Sequence, residues 1–347
     1  MSRSLVWLRR LAFTGLLLCF VVVVLGAYVR LSAAGLGCPD WPGCYGHLTP
    51  SGAEENAAAQ AAFPNAPLHT GKAWREMVHR YAAATLGLIV IGIAVIAIAK
   101  RRERLVGEGF ALALLALVIF QGILGMLTVT WQLKPLIVTL HLIFGLTTLS
   151  MLWWLCLSLL RASRGGIRFG GAMVPGSGAR AAHSHTPRQL VHAALVVLCL
   201  QIALGGWTSS NYAAVACLDF PTCQREWWPQ MDFDDAFVLW RGLDINYEGG
   251  VLDHPARTAI HFMHRLGALL ATFALVFAAV TVLRRRSLGM ARAAAIGVLV
   301  ALGAQLVIGV AMVLEAFPLG LATAHNAGAA ILLLATLTLH RQLSGSA

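Results

Sequence analysis

Eight apolar runs, each long enough to cross a bilayer, set the frame into which everything else in this chain must fit: 11–29, 79–99, 109–130, 136–160, 189–209, 258–283, 291–314 and 319–340. A span takes about 20 apolar residues, because in lipid every backbone polar group must be satisfied within the helix itself. At 58% hydrophobic and 12% charged residues, the 347-residue chain holds too little polar material for a soluble domain. The expected class is an all-α integral membrane protein.

The first run follows Arg3, Arg9 and Arg10 and has small residues near Gly26-Ala27, as a signal peptide would. Its length is that of a full span, so it reads as a first transmembrane helix that stays attached. The formal net charge is +11, but the basic residues cluster at 100–104, 161–188 and 284–292, after the second, fourth and sixth runs. Loops retained in the cytoplasm have that pattern and nucleic-acid surfaces do not; both termini then lie on the cytoplasmic side.

The chain is also duplicated. Gln121–Val129 (QGILGMLTV) matches Gln305–Val313 (QLVIGVAMV), and His141 matches His325, both 184 residues on (305 − 121 and 325 − 141). His79 matches His264 at 185 (264 − 79), and Gly26 matches Gly206 at 180 (206 − 26). Four spans per copy keep the two copies in one orientation. The expectation is two tandem, parallel-repeat four-helix bundles, 1–160 and 189–347, joined by a Gly-, Ser- and Arg-rich cytoplasmic linker over 161–188.

Each copy carries a cysteine pair in the outer loop after its first span: Cys38 and Cys44 in GCPDWPGC, Cys217 and Cys223 in ACLDFPTC. Two short-loop disulfides on the oxidising side of a bacterial membrane are one reading; free thiols, or a pair cycling with an oxidoreductase, are the others. Cys19, Cys156 and Cys199 fall inside spans and are expected to pack as small hydrophobes. The long outer segment 211–257 interleaves acidic residues such as Asp232, Asp234, Asp235 and Asp244 with Trp227, Trp228, Trp240 and Tyr247. That mixture suits a solvated cap resting at the membrane interface.

His79, His141, His264 and His325 fall near the outward ends of the even-numbered runs, two in each copy. An imidazole inside a span is expensive, so a duplicated set of four points to a function. Two imidazoles facing each other across a four-helix bundle can hold a six-coordinate heme iron, and the flanking Gly, Ala and Leu leave room for a macrocycle. Zinc would call for further cysteine or carboxylate ligands. Glu76 breaks the symmetry: WREMVHRYAAATLG puts it one helical turn before His79, whereas AIHFMHRLGALLA has His261 in that place before His264. Glu76 reads either as a base beside a bound porphyrin or as the i,i+4 partner of Arg80 at a helix start. His261 reads as a spare ligand or a propionate contact, and Arg80 and Arg265 as propionate partners or interfacial anchors.

GAYVRLSAAGLGCPDWPGC, EMVHR, HLIFG, HFMHR and AHNAG together resemble the heme A synthase family over nearly the whole chain. The resemblance implies oxidation of a methyl substituent of heme O to a formyl group through hydroxylated intermediates, a step in cytochrome oxidase biogenesis at the bacterial inner membrane. It implies a heme b cofactor in the C-terminal half on His264 and His325, and heme O in the N-terminal half at His79 and His141; Arg265 and Arg80, read above as propionate partners, would then lie at the cofactor and the substrate heme respectively. Glu76 is then a catalytic carboxylate, and Cys38 and Cys44 a loop pair important to the reaction. The heme O-forming farnesyltransferase and a second copy of the chain are the candidate protein partners. A diheme electron-transfer cytochrome is the competing class; it predicts equivalent sites, against the Glu76/His261 difference. A heme transporter needs a path through the membrane, which ligands confined to the outer half do not provide.

Overall fold

The computed structural model describes residues 3–103, 105–163, 186–285 and 288–344. Among them are eight helices long and apolar enough to cross a membrane: Arg3–Leu31, Thr70–Ala99, Glu108–Thr130, Pro135–Leu160, Thr186–Ser210, His254–Leu283, Gly289–Leu314 and Leu319–Ser344, called here the first to eighth spans. No strand occurs among the described residues beyond isolated bridges at Cys44/His47 and Cys223/Glu226. The all-α, eight-span expectation is borne out. Most of the 161–188 linker, together with Arg104 and Arg286 of the basic clusters, lies outside the described residues.

Three helices begin well before their apolar runs, at Arg3 instead of 11, at Thr70 instead of 79 and at His254 instead of 258. Lys72, Arg75 and Glu76 interrupt the hydropathy but are all good helix formers, so the hydrogen-bonded helix outruns its lipid-embedded part. Pro255 stands in the first turn of the sixth span, where its missing N–H is no loss. Hydroxyls inside the spans are satisfied locally: Thr147, Thr208, Thr272 and Thr336 each donate to the carbonyl four residues back. Cys19 and Cys156 are buried as expected, but Cys199 is exposed. It shares an uncovered helix face with Val196 and Leu200, which are also exposed.

The described chain forms two compact units. The first comprises the first three spans and the fourth from Leu140 on; the first span packs on the second and the second on the third. The second unit comprises the last four spans and Lys134–Thr139. Its fifth span packs on the sixth and eighth, and the seventh on the same two, closing a ring of four helices.

Lys134–Thr139 is seated in the second unit by specific contacts. The fully buried Lys134 donates to the Gly242 carbonyl, with its ammonium 3.5 Å from the centroid of the Trp240 ring. Leu136 packs on the cluster around Trp207 and Ile260, and Thr139 Oγ1 lies 3.3 Å from Ser210 Oγ. The segment 211–257 is thus more than a solvated cap. The Trp207 indole donates to the Ala236 carbonyl at 3.0 Å, and Asp232 caps the short helix Phe233–Ala236. Of its aromatics, Trp227 and Trp228 are 74% and 69% exposed, whereas Tyr247 is buried.

Candidate functional site

His79, His141, His264 and His325 each face a glycine on the span before their own. A Cβ on Gly26 would lie 3.0 Å from Cε1 of His79, on Gly125 3.5 Å from Cε1 of His141, on Gly205 3.1 Å from Cε1 of His264 and on Gly309 3.0 Å from Cε1 of His325. The rings therefore rest against bare backbone. Gly205, and not Gly206, is the partner of His264, so the duplication runs at 179 residues here (205 − 26). His79 and His141 belong to the first unit, and His264 and His325 to the second. Nδ1 of His79 and of His141 is buried without a hydrogen-bond partner.

Three glutamines escaped the sequence reading. Gln121, Gln201 and Gln305 each stand four residues before one of these glycines and donate Nε2–H to the backbone carbonyl of His141, His264 and His325, at 3.0 Å in every case. In the second unit the same amide also meets the ring: Gln201 Nε2 is 3.0 Å from His264 Nδ1, and Gln305 Nε2 is 3.3 Å from both ring nitrogens of His325. The signal was a Gln-x-x-x-Gly spacing in three of the four odd-numbered spans; the first span has Val22 in the glutamine position.

Both cysteine pairs are disulfide-bonded, Cys38–Cys44 and Cys217–Cys223. The first loop lies directly on the second span: a Cβ on Gly37 would come within 2.6 Å of the Lys72 carbonyl carbon, so only glycine permits the approach. That approach brings the Cys38 N–H to Glu76 Oε2 at 2.9 Å, while Arg80 Nη2 donates to Oε1 at 2.5 Å. Glu76 is 4% exposed, with both oxygens held. Arg80 Nη1 goes on to the carbonyls of Asp40 at 3.0 Å, Pro42 at 3.2 Å and Gly43 at 2.6 Å. Asp40 ties the turn by accepting from the N–H groups of Tyr45 at 2.6 Å and Gly46 at 2.7 Å.

The second loop repeats this construction. Arg265 donates to the carbonyls of Thr222 at 2.7 Å, Asp219 at 2.8 Å and Cys217 at 3.2 Å. Asp219 accepts from the N–H groups of Gln224 and Arg225 at 2.7 and 2.9 Å, and from the Thr222 hydroxyl at 2.5 Å. Burial pushes the Asp219 carboxyl up, but these hydrogen bonds outweigh it and hold the group below the ordinary carboxylate range. His261 occupies the position of Glu76 and accepts from Arg265 Nε at 3.3 Å, with its ring edge-on to Phe317. The hydrogen bonds of Arg80 and Arg265 toward the loops thus run to backbone carbonyls, which staple each disulfide loop to the helix below.

Two imidazoles per unit, with no cluster of three or more His, Cys, Asp or Glu able to hold a metal ion among the described residues, suit an iron whose equatorial positions are already filled. The bare backbone opposite each ring and the unpartnered Nδ1 atoms fit the same group. A family model described as cytochrome oxidase assembly protein matches residues 9–337. The chain is similar to the heme A synthase of Shewanella oneidensis, at 39% identity over 97% of this chain and 96% of the relative. The chain belongs to the heme A synthase family. Heme A synthases of Paracoccus denitrificans and Rhizorhabdus wittichii are 30% and 28% identical over 90% and 92% of this chain, and 81% and 89% of theirs. The family match spans all four histidines, Glu76 and both disulfide loops, and the resemblance carried by the sequence motifs is borne out.

Proposed function

We propose that the chain converts heme O to heme A, a four-electron oxidation of a methyl substituent to a formyl group through hydroxylated intermediates that lose water, with the electrons passed by way of heme b to an external electron acceptor. His79 and His141 would hold the iron of the substrate heme in the first unit, and His264 and His325 a heme b cofactor in the second. Both termini would be cytoplasmic, with the sites toward the outer face of the inner membrane. Heme b closed by two imidazoles supplies one-electron transfer and leaves no open position for oxygen. Glu76, one turn from His79, would accept a proton from the reacting substituent or stabilise positive charge developing there. Arg80 and the Cys38 N–H keep that carboxylate in place.

The observation that carries this reading is an asymmetry inside a duplicated frame. Both units present two glycine-backed imidazoles and an arginine-stapled disulfide loop, yet Glu76 stands in one where His261 stands in the other. Two equivalent electron-transfer sites have no use for such a difference. Pigment extraction from the purified protein tests it: heme b accompanied by heme O or heme A is expected. Two retained equivalents of heme b, with no conversion of added heme O, would overturn the reading.

A further inference from the structure

A second histidine pair stands at the other end of the second unit. The rings of His192 in the fifth span and His340 in the eighth lie 5.7 Å apart between centroids, tilted by 45°. His340 is fifteen residues beyond His325 on one helix (340 − 325), about 22 Å at 1.5 Å per residue, so it cannot share an iron with His325. The sequence puts the pair at the boundary between lipid and water. His192 is three residues inside the apolar run that begins at 189, His340 closes the run 319–340, and Arg188 stands just before the first of these.

Arg188 and His192 are four residues apart, one turn on the same helix face, and both are exposed; His340 is half-buried. Neither span contains an acidic residue, and no ion pair among the described residues takes up Arg188. A guanidinium and two imidazoles that can each donate an N–H make a donor set for an anion. A cation is disfavoured by the arginine and lacks ligands, since no third His, Cys, Asp or Glu joins the pair among the described residues.

Further along, the same face turns apolar. In steps of one turn from Arg188 and His192, the fifth span presents Val196 and Leu200, both exposed, with Cys199 exposed beside them. A donor cluster at the water boundary that opens on an apolar strip matches a phospholipid in shape and charge. A zwitterionic lipid brings a cation of its own to a place without a carboxylate to receive it, which favours the anionic class.

We propose that Arg188, His192 and His340 bind the phosphate of an anionic phospholipid, with one acyl chain along Val196, Cys199 and Leu200. This site is independent of the heme assignments.

Native mass spectrometry of the purified full-length protein tests it, by titration with phosphatidylglycerol, with phosphatidylcholine of the same acyl chains and with inorganic phosphate. Phosphatidylglycerol should bind as one tight equivalent, phosphatidylcholine should not bind at the same concentration, and inorganic phosphate should not displace the bound lipid. Arg188→Gln and His340→Phe should each weaken that equivalent by about 10-fold, as expected for loss of a hydrogen bond to a charged group. Arg10→Gln, which removes a charge from the first span, should leave it unchanged. Equal retention of the two lipids by the wild-type protein overturns the inference whether or not the variants fold. Variants that keep the wild-type affinity overturn it too, as does the same loss in Arg10→Gln. Displacement by inorganic phosphate would make the site one for a free anion and overturn the lipid assignment.

Discussion

The backbone N–H of Cys38 donates to Oε2 of Glu76 at 2.9 Å. The disulfide loop and the carboxylate that singles out the first unit are therefore one piece of structure, closed on its other side by Arg80. A change in the loop is felt at the carboxylate, and the reverse.

Glu76→Gln keeps an oxygen for the Cys38 N–H and removes the charge paired with Arg80, whose Nη1 still has three loop carbonyls. Destabilisation should stay within about 1–3 kcal/mol, and both hemes should bind. Conversion of heme O should fall by about 100-fold or more, as expected for loss of an acid–base group. Wild-type heme A output from a variant of normal heme content would reduce Glu76 to a loop staple.

Cys38→Ala and Cys217→Ala open equivalent loops, but only the first loop holds Glu76. Heme A formation should drop more in Cys38→Ala, while Cys217→Ala acts chiefly on stability, by about 2–4 kcal/mol or less for so short a loop. Equal activity in the two variants would leave both pairs as structural links.

Under the proposed assignment of a heme b to the second unit, His264→Ala or His325→Ala should release that heme, since either would remove one of its two imidazole ligands. Pyridine hemochrome stoichiometry and the low-spin spectrum read this directly. Full heme b with an unchanged spectrum in both variants would contradict the assignment.

The glycines opposite the rings make a graded prediction. A Cβ 3.0 Å from His325 Cε1 displaces the ring, whereas one 3.5 Å from His141 Cε1 is ordinary contact. Gly309→Ala should therefore shift the spectrum of the heme proposed for the second unit and cost about 1–3 kcal/mol, and Gly125→Ala should be tolerated. Identical behaviour in the two variants, by spectrum and thermal melting, would remove the packing argument.

Asp219 supplies a pH test of the second loop. Its folded pKa is depressed by the Thr222, Gln224 and Arg225 bonds against the opposing effect of burial. Its stabilisation is complete above the ordinary carboxylate value of about 3.9 and is lost as pH falls through the lower folded value. Protection of residues 217–226 from proteolysis should hold down to about pH 4 and fail below it. Asp219→Asn should weaken that protection above about pH 4, where the wild-type carboxylate is ionised, and a variant with the wild-type profile would count against the carboxylate.

Local pattern settled a large part of this protein before any fold was known. Apolar length specified eight spans, because bilayer thickness is a one-dimensional constraint that a run of residues meets or fails by itself. Repeated motifs exposed the duplication, the four histidines and the Glu76/His261 difference, since residues three apart on a helix share a face wherever the helix is put. Tertiary structure decided what those residues touch. The Cys38–Glu76 bond joins positions 38 apart, Lys134 meets Gly242 at a separation of 108, and Gln201 reaches His264 across 63 residues. The partner of His264 moved by one residue to Gly205 for the same reason. Helical period fixes the face a residue occupies, but the rotation and depth of the neighbouring helix are set by side-chain packing along the whole contact. No single stretch of sequence carries that information.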